Sequence, residues 1–315
     1  MIGKIFRINM ILALVCGLIV VTANQALSAG PIAVLLSDDE EAYTRPVAAF
    51  INEVDVPVEV FNLQGDISRN PNLANEIFSR NPSLIFTLGA KAAYAAKLWT
   101  RNRPVVPVVF AMVLNWKKYG FHVGQDNITG IAMEVEPGTQ FANMALFSPD
   151  VRRLGVIYSA AHSAEIIGKA RDAARLLGLQ LVEKKIRHSS EFRNAYKRLA
   201  DRIDGFWVLS DPVTFTLTNI SWLEKRCVKD RLVCIAQSEN VAKIGIMVGV
   251  NQDYSNIGTQ AASIAKNILA GRQSPAEIGV MPPLGTDLYL NMKTASKIGL
   301  VIDRSALDMA SEVIY

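Results

Sequence analysis

The chain has 315 residues, of which 50% are hydrophobic and 20% are charged, with a formal net charge of +4 at pH 7. This is the composition of an ordinary globular protein with ample material for a core, and the length suggests two domains. The charge is small for this size and no long Lys/Arg run is present, which argues against nucleic acid as a partner.

Residues 1–29 follow the three-part plan of a secretory signal peptide. Lys4 and Arg7 form a positive start, residues 8–21 are almost wholly apolar, and residues 22–29 are small and polar. The apolar run is shorter than the ~20 residues that comfortably span a bilayer, although an uncleaved anchor is the alternative. We expect cleavage near Ala29 and a periplasmic mature chain. Cys16 lies inside the apolar run and lacks a small residue before it, so we do not expect a lipoprotein.

In the first half of the chain, the predicted elements alternate between strand and helix with short connections. The predicted strands are 31–36, 56–61, 84–88 and 105–110, and the predicted helices are 41–54, 71–80 and 90–100. Gly89 ends the third strand, because a glycine permits a sharp turn that a β-branched residue resists. This alternation predicts a parallel, right-handed βαβ sheet.

The second half repeats this plan without close residue identity. Its predicted strands are 153–158, 180–186, 205–209 and 232–236, and its predicted helices are 163–177, 190–202 and 212–226. The fold class that follows is α/β, with two similar doubly wound parallel-sheet lobes that face each other.

Extended segments between these halves predict a hinge with several crossings. We assign crossings to 126–134, to a segment that follows 244–250, and to 288–291, a helix to 254–270 that ends at Gly271, and a short helix to 293–297. The first lobe is then 30–131 plus about 247–286, and the second is 132–246 plus about 287–315. Hinge closure on a ligand is a standard motion of such an arrangement.

Cys227 and Cys234 are the cysteines that remain after cleavage. An oxidising compartment permits a disulfide between them, but both also suit small buried hydrophobes, and we favour buried thiols. His122, His162 and His188 show no metal-ligand spacing with these cysteines. We therefore expect no metal and no cofactor.

Open α/β folds hold ligands at the carboxyl ends of their strands, so both lobes are expected to present those ends to one cleft. In the first lobe the predicted ligand-binding residues are Ser37, Asp38, Tyr43, Gly89, Ala90, Lys91, Ala111 and Met112. In the second lobe they are Tyr158, Ser159, Ser210, Asp211, Ser238 and Glu239.

Several of these residues have a purely structural alternative. Ser37 and Ser238 suit helix caps as well as ligand contacts. Aromatic faces for a planar ligand are offered by Tyr43, Trp116 and Tyr158, which are equally suited to packing inside a lobe.

Asp211 is the predicted main polar anchor of the second lobe. Pro212 suits the first position of a helix, so Asp211 lies where an N-cap belongs. The functional alternative is that its carboxylate accepts a ligand ammonium or N–H group. Lys91 and Glu239 are more typical of solvated surface positions than of ligand contacts.

A resemblance to a known family is spread along the chain, over residues 31–37, 85–92, 107–113, 127–130, 153–158, 210–211, 250–258 and 290–299. In order and spacing these segments resemble the type I periplasmic substrate-binding proteins of ABC transporters, in the tryptophan/tyrosine-type branch. The chain departs from the family pattern where Ala90 replaces a hydroxyl residue and Asn115-Trp116 replaces Asp-Pro.

This resemblance implies a monomer that captures an amino-acid-like or aromatic solute between its lobes and delivers it transiently to a membrane ABC permease. A solute-sensing periplasmic protein that docks on a membrane sensor is the alternative. An exported two-lobe enzyme is the third class, but the chain has no dinucleotide fingerprint, phosphate-binding loop or nucleophile elbow. We expect no enzyme.

The signal-peptide interpretation predicts that exported material begins near Gly30, because Ala29 ends the small, polar stretch. Intact-mass measurement on the exported protein checks this. A retained Met1 on a membrane-associated chain would contradict it.

Overall fold

The structure is a computed structural model that describes residues 30–68, 70–103, 105–121 and 127–315. The predicted signal peptide, His122 and Asp126 lie outside the described residues. Within the described ranges, no helix combines the length and the apolarity that crossing a membrane requires.

The described strands are β1 (Ile32–Leu36), β2 (Val58–Asn62), β3 (Leu84–Leu88), β4 (Val108–Val113), β5 (Ile128–Ala132), β6 (Arg153–Tyr158), β7 (Gln180–Lys185), β8 (Gly205–Val208), β9 (Val233–Ala236), β10 (Val248–Gln252), β11 (Val280–Met281), β12 (Thr286–Asn291) and β13 (Glu312–Ile314).

The described α-helices are α1 (Thr44–Glu53), α2 (Leu73–Ser79), α3 (Ala90–Thr100), α4 (Pro137–Phe147), α5 (Ala160–Leu176), α6 (Phe192–Lys197), α7 (Leu217–Lys229), α8 (Glu239–Lys243), α9 (Tyr254–Leu269), α10 (Pro275–Ile278), α11 (Met292–Ile298) and α12 (Arg304–Leu307). Short 3₁₀ helices cover Glu41–Tyr43, Trp116–Tyr119, Ser189–Glu191 and Ala200–Arg202.

Two separate sheets organise these elements. The first has the strand order β11-β5-β4-β3-β1-β2, and all its pairs run parallel. The second has the order β13-β12-β10-β9-β8-β6-β7, in which only the described pair β10–β12 is antiparallel. The predicted class of two parallel-sheet α/β lobes is confirmed.

Helices cover both faces of each sheet. In the first lobe, α1 and α9 pack on one face through Phe50 and Ile257, and α2 and α3 pack on the other. Every residue of β3 and β4 is buried, as continuous apolar runs predict for central parallel strands. The second sheet is likewise enclosed between two clusters of buried residues.

The chain passes between the sheets at residues 133–136, at Asp253 and at residues 282–285. Most of 126–134 belongs to β5 of the first sheet, so the first crossing begins only at residue 133. Residues 248–252 form β10 and residues 286–291 belong to β12, both in the second sheet, so the predicted crossing at 288–291 and the expected place of 248–252 in the first lobe are wrong. Those two strands pair with each other and bury Val250 and Leu288 in the core of the second lobe. We therefore propose that the lobes divide at the three observed crossings.

Glutamine side chains attach two of these crossings to the lobes. Gln140 and Gln237 donate from Nε2 to backbone carbonyls within residues 133–136, at 2.7 and 3.1 Å. Gln260 donates to the carbonyl of Pro282 at 2.9 Å. Each bond satisfies a backbone acceptor in a segment that has no strand partner.

Cys227 at the end of α7 and Cys234 in β9 form a disulfide, with their Cα atoms 6.2 Å apart. Our preference for buried thiols is therefore wrong. Both residues are fully buried, as expected, but the return of the chain from α7 into β9 brings them within bonding distance. The spacing of the two cysteines along the sequence does not give the distance between their Cα atoms.

Gly258 allows α9 to approach α1 closely. A Cβ at this position would overlap the carbonyl oxygen of Pro46 and lie 2.8 Å from the Cβ of Ala49. This contact holds α9 on the first lobe immediately after the crossing at Asp253.

Gly258→Ala is expected to lower the free energy of unfolding by about 1–3 kcal/mol, because the added methyl group overpacks the α1–α9 interface. Gly168→Ala is the matched control in α5, where a Cβ would meet no atom within 4 Å. It should raise the free energy of unfolding by about 0.5–1 kcal/mol through helix propensity. Urea unfolding of both variants measures this, and equal effects would contradict the packing argument.

Candidate functional site

The predicted binding residues lie where the strands of both sheets end. Tyr43 and Lys91 follow β1 and β3 of the first sheet, and Ser159 and Glu239 follow β6 and β9 of the second. Parallel strands within one sheet share a carboxyl edge, so each lobe gathers its candidate residues along a single edge.

Ser37 caps α3 from the neighbouring strand. Its Oγ accepts a hydrogen bond from the backbone N–H of Ala92 at 2.9 Å, in the first turn of α3. The cap alternative is therefore confirmed for Ser37, but the helix is α3 rather than the next helix in the chain. A hydroxyl at Ala90 is not needed for capping, because Ser37 supplies one.

Gly89 makes room for this arrangement. Its φ is +86°, and a Cβ there would overlap the Tyr43 hydroxyl and lie 2.5 Å from Ser37 Oγ. The Tyr43 hydroxyl and Ser37 Oγ thus both lie against Gly89. Burial, followed by the nearby Asp38 carboxylate, raises the pKa of Tyr43, so its phenol is neutral at pH 7.

Asp38 is half-buried beside this cluster, and its Oδ1 is enclosed without a hydrogen-bond donor among the described residues. A buried carboxylate oxygen without a donor costs free energy, and an N–H group from a bound molecule removes that cost. Among the predicted residues of the first lobe, Asp38 therefore has unused capacity to accept a ligand hydrogen bond.

Asp211 has the opposite environment. It is fully buried, and its Oδ2 accepts from the backbone N–H of Ser159 at 2.9 Å and from Ser163 Oγ at 2.6 Å. Its Oδ1 accepts from the backbone N–H groups of Val213 and Thr214 at 2.8 and 3.2 Å. These bonds join the ends of β6 and β8 and leave both carboxylate oxygens occupied by the protein.

The structural alternative, in which Asp211 caps a helix starting at Pro212, is wrong. Helix α7 begins at Leu217, and its cap is Thr216, whose side chain accepts from Asn219 N. Residues 212–214 form a turn whose N–H groups bind Asp211. The geometry gives this carboxylate a structural role, and its predicted contact with a ligand stays a prediction.

Tyr158 and Trp116 pack inside their lobes. Tyr158 is 1% exposed and donates from its hydroxyl to Glu183 Oε2 at 3.0 Å. Trp116 lies against the first lobe's core, with its ring 6.5 Å from that of Phe110. The packing alternative is thus the observed one for both residues.

The other candidates of the second lobe differ in exposure. Ser159 is buried, and its Oγ lies 3.3 Å from His162 Nδ1, whereas Ser210 is exposed. Ser238 caps α8 by accepting from Val241 N at 3.3 Å.

Glu239 begins α8 and pairs with Lys243 at 2.5 Å. The hydrogen bond from Lys243, and that from Tyr289, hold the pKa of Glu239 below its usual value. The carboxylate is therefore ionised and already engaged within the second lobe.

The end of β4 is strained. Met112 has a φ of +57°, at a register shift between β4 and β5 that lies between Phe110 and Val113. A methionine rarely adopts this left-handed conformation, and such residues cluster at functional sites. Ala111 beside it is buried, Ala90 is half-buried and Lys91 is exposed.

Sequence reasoning missed the charged residues that connect the two edges. Arg45 in α1 contacts Asp287 in β12 at 3.5 Å, and Lys117 after β4 contacts Glu165 in α5 at 2.5 Å. Lys117 follows the end of β4 closely, and this position was the available signal. Nothing in the sequence distinguished Glu165 from other exposed helix residues.

Surface grooves beside α9 and α10 contain none of the predicted binding residues. They are lined by polar residues of α9 and by Met281, Leu284 and Pro275. Over the described ranges, no group of His, Cys, Asp and Glu side chains is arranged to hold a metal ion.

Comparison with known proteins places this geometry in a family. A model of the ABC transporter substrate binding protein family matches residues 51–314. A tyrosine-binding protein from Clostridioides difficile is 23% identical over 254 residues, which cover 78% of this chain and 71% of that protein.

Solved structures show the same fold. The ligand-free, open structure of a substrate binding protein with adhesive properties from Clostridium difficile has a TM-score of 0.72 at 19% identity, covering 90% of this chain and 99% of that one. A domain from Streptococcus pneumonia in complex with L-Trp has a TM-score of 0.55 at 18% identity, covering 91% and 100%. The chain belongs to the ABC transporter substrate-binding protein family, with a type I periplasmic-binding-protein fold, as its sequence resemblance implied.

Asp211→Asn is expected to lower the free energy of unfolding by about 1–3 kcal/mol, because an amide offers one acceptor oxygen to donors that now bind two. Asp172→Asn is the control, since Asp172 is exposed and pairs only within α5 among the contacts described. Urea unfolding distinguishes them, and equal midpoints would show that the Asp211 network contributes little.

Proposed function

We propose that this family member captures a small solute between the facing edges of its two lobes and delivers it to an ABC permease. The unpartnered Oδ1 of Asp38 carries the proposal, because it is a buried acceptor at a strand end. The Tyr43 ring beside it supplies an aromatic surface, and the strained end of β4 borders the same edge.

The proposed ligand is amino-acid-like, with an ammonium group that binds Asp38. A charge-assisted hydrogen bond is roughly twice as strong as a neutral one, which suits a carboxylate lacking a protein donor. Two relatives support this class, since one is named a tyrosine-binding protein and another was solved with L-Trp. An aromatic side chain on the ligand would lie against Tyr43.

The proposal places the protein in the periplasm, exported by the predicted signal peptide and acting as a monomer. Solute capture needs lobes that move, and the three crossings supply segments around which they can rotate. The permease is a transient partner that receives the loaded protein.

Binding without chemistry is the second part of the proposal. The clearest nucleophile candidate is Ser159, whose Oγ is 3.3 Å from His162 Nδ1. A catalytic arrangement would need an acid that orients the histidine, but the buried Asp211 carboxylate binds Ser163 and backbone N–H groups instead. The pair therefore has the geometry of a helix-start contact.

Asp38→Asn is expected to weaken binding of L-tyrosine about tenfold or more, because the charge that faces the ammonium group is lost. Calorimetric titration measures the dissociation constant, after a thermal-shift screen with L-tyrosine, L-tryptophan and other amino acids establishes that the parent protein binds this class.

Asp39→Asn is the matched control. Asp39 is the adjacent carboxylate, is exposed, and accepts from Asn62 Nδ2 at 2.6 Å. Its replacement should leave the dissociation constant unchanged. An unchanged constant for Asp38→Asn would remove Asp38 from the site, and the absence of any shift across the screen would reject the ligand class.

A further inference from the structure

Two ion pairs join the lobes. Lys117 of the first lobe meets Glu165 of the second, and Arg45 of the first lobe meets Asp287 of the second. They lie on opposite faces of the first sheet, since Trp116 packs with the α2–α3 side and α1 packs with the α9 side. One interlobe ion pair therefore lies on each side of the first sheet.

The Lys117–Glu165 pair is built on fixed supports. The adjacent Asn115 donates its backbone N–H to Glu134 Oε1 at 3.0 Å, in the segment where the chain crosses between lobes. Glu165 belongs to α5, which is held in the second core through Ile167. The hydrogen bond from Lys117 holds the pKa of Glu165 below its usual value, so the Glu165 carboxylate is ionised at pH 7.

Arg45 also contacts residues at the second crossing between the lobes. Its guanidinium lies 3.5 Å from Asp287 Oδ2 and 3.4 Å from Asp253 Oδ1, and its Nε donates to Ser255 Oγ at 3.3 Å. Asp253 caps α9 at the second crossing. The pKa of Asp287 is raised overall, because burial and the Asp253 charge outweigh the opposing effect of Arg45.

We propose that these interlobe ion pairs set the separation of the lobes before any ligand binds, with Lys117, Glu165, Arg45 and Asp287 as positioning residues. None of the four belongs to the proposed ligand contacts, so this inference does not depend on the ligand. Side-chain exposures of 55% and 68% for Lys117 and Glu165 mean that salt screens their attraction.

The test measures lobe separation without ligand. Spin labels at Val105→Cys and Leu176→Cys, which are 90% and 87% exposed, report it through electron–electron double resonance. The labels are placed in the exported chain, whose remaining cysteines, Cys227 and Cys234, stay oxidised in their disulfide. Val105 precedes β4 and Leu176 ends α5, so the labels lie in different lobes, away from the facing edges.

Glu165→Lys is expected to shift the distance distribution. At low salt, the population at the parent's distance should fall about two- to fivefold relative to the population at other distances, which is the range for an exposed ion pair. Lys117→Glu should do the same, and the double variant Lys117→Glu/Glu165→Lys should restore the parent distribution. Raising the salt concentration should move the parent toward the single variants.

Asp172→Lys is the matched control, because it makes the same charge change in the same helix at 70% exposure, but its described partner Arg175 is within α5. It should leave the distances unchanged. Identical distributions for Glu165→Lys and the parent at low salt would overturn the role of the Lys117–Glu165 pair, as would failure of the double variant to restore the parent.

Arg45→Gln tests the second pair in the same way. It leaves Asp253 and Asp287 without their shared cation, so circular dichroism must first show a folded chain. Should it not fold, Arg45→Lys replaces it, since lysine keeps the charge but loses the guanidinium that contacts both carboxylates at once. An unchanged distance distribution in the folded variant would overturn the role of Arg45.

Discussion

Helices bury both faces of each sheet, and this burial decides where the protein can meet a ligand. With β3 and β4 enclosed on both sides, polar side chains are accommodated mainly where strands end. Ligands bind at the carboxyl edges of such sheets, because the turns that follow the strands expose backbone donors and short polar side chains. Three crossings of the chain then join the two sheets that carry these edges.

Two aspartates after strand ends show how differently such positions are used. Asp211 accepts from four protein donors and joins the ends of β6 and β8. Asp38 keeps a buried oxygen without a donor among the described residues. Both residues are aspartates shortly after a strand end, and they differ in the number of protein N–H and O–H donors around the carboxylate. A carboxylate saturated by its own fold has little capacity for a ligand, whereas an unsatisfied one gains from binding.

The first-lobe edge also shows how a departure from a family pattern can be compensated. Ala90 stands where the family usually has a hydroxyl, yet α3 is still capped, because Ser37 reaches Ala92 from the neighbouring strand. Gly89 lacks the Cβ that would block this approach and the Tyr43 hydroxyl beside it. The hydroxyl is thus supplied from elsewhere in the fold, and the small Ala90 leaves that part of the edge less crowded.

Local pattern determined much of the architecture. The strand 153–158 matches β6, and the helix 254–270 ends at Gly271 as expected, because hydrophobic runs and glycine stops act over a few residues. The two-lobe plan and the family also follow from the order of these segments. Only the tertiary structure decided that 248–250 and 288–291 pair as strands, that Cys227 bonds Cys234, and that Asp211 is saturated while Asp38 is not. These outcomes depend on contacts between residues distant along the chain or on the path of a turn, and composition and periodicity contain neither.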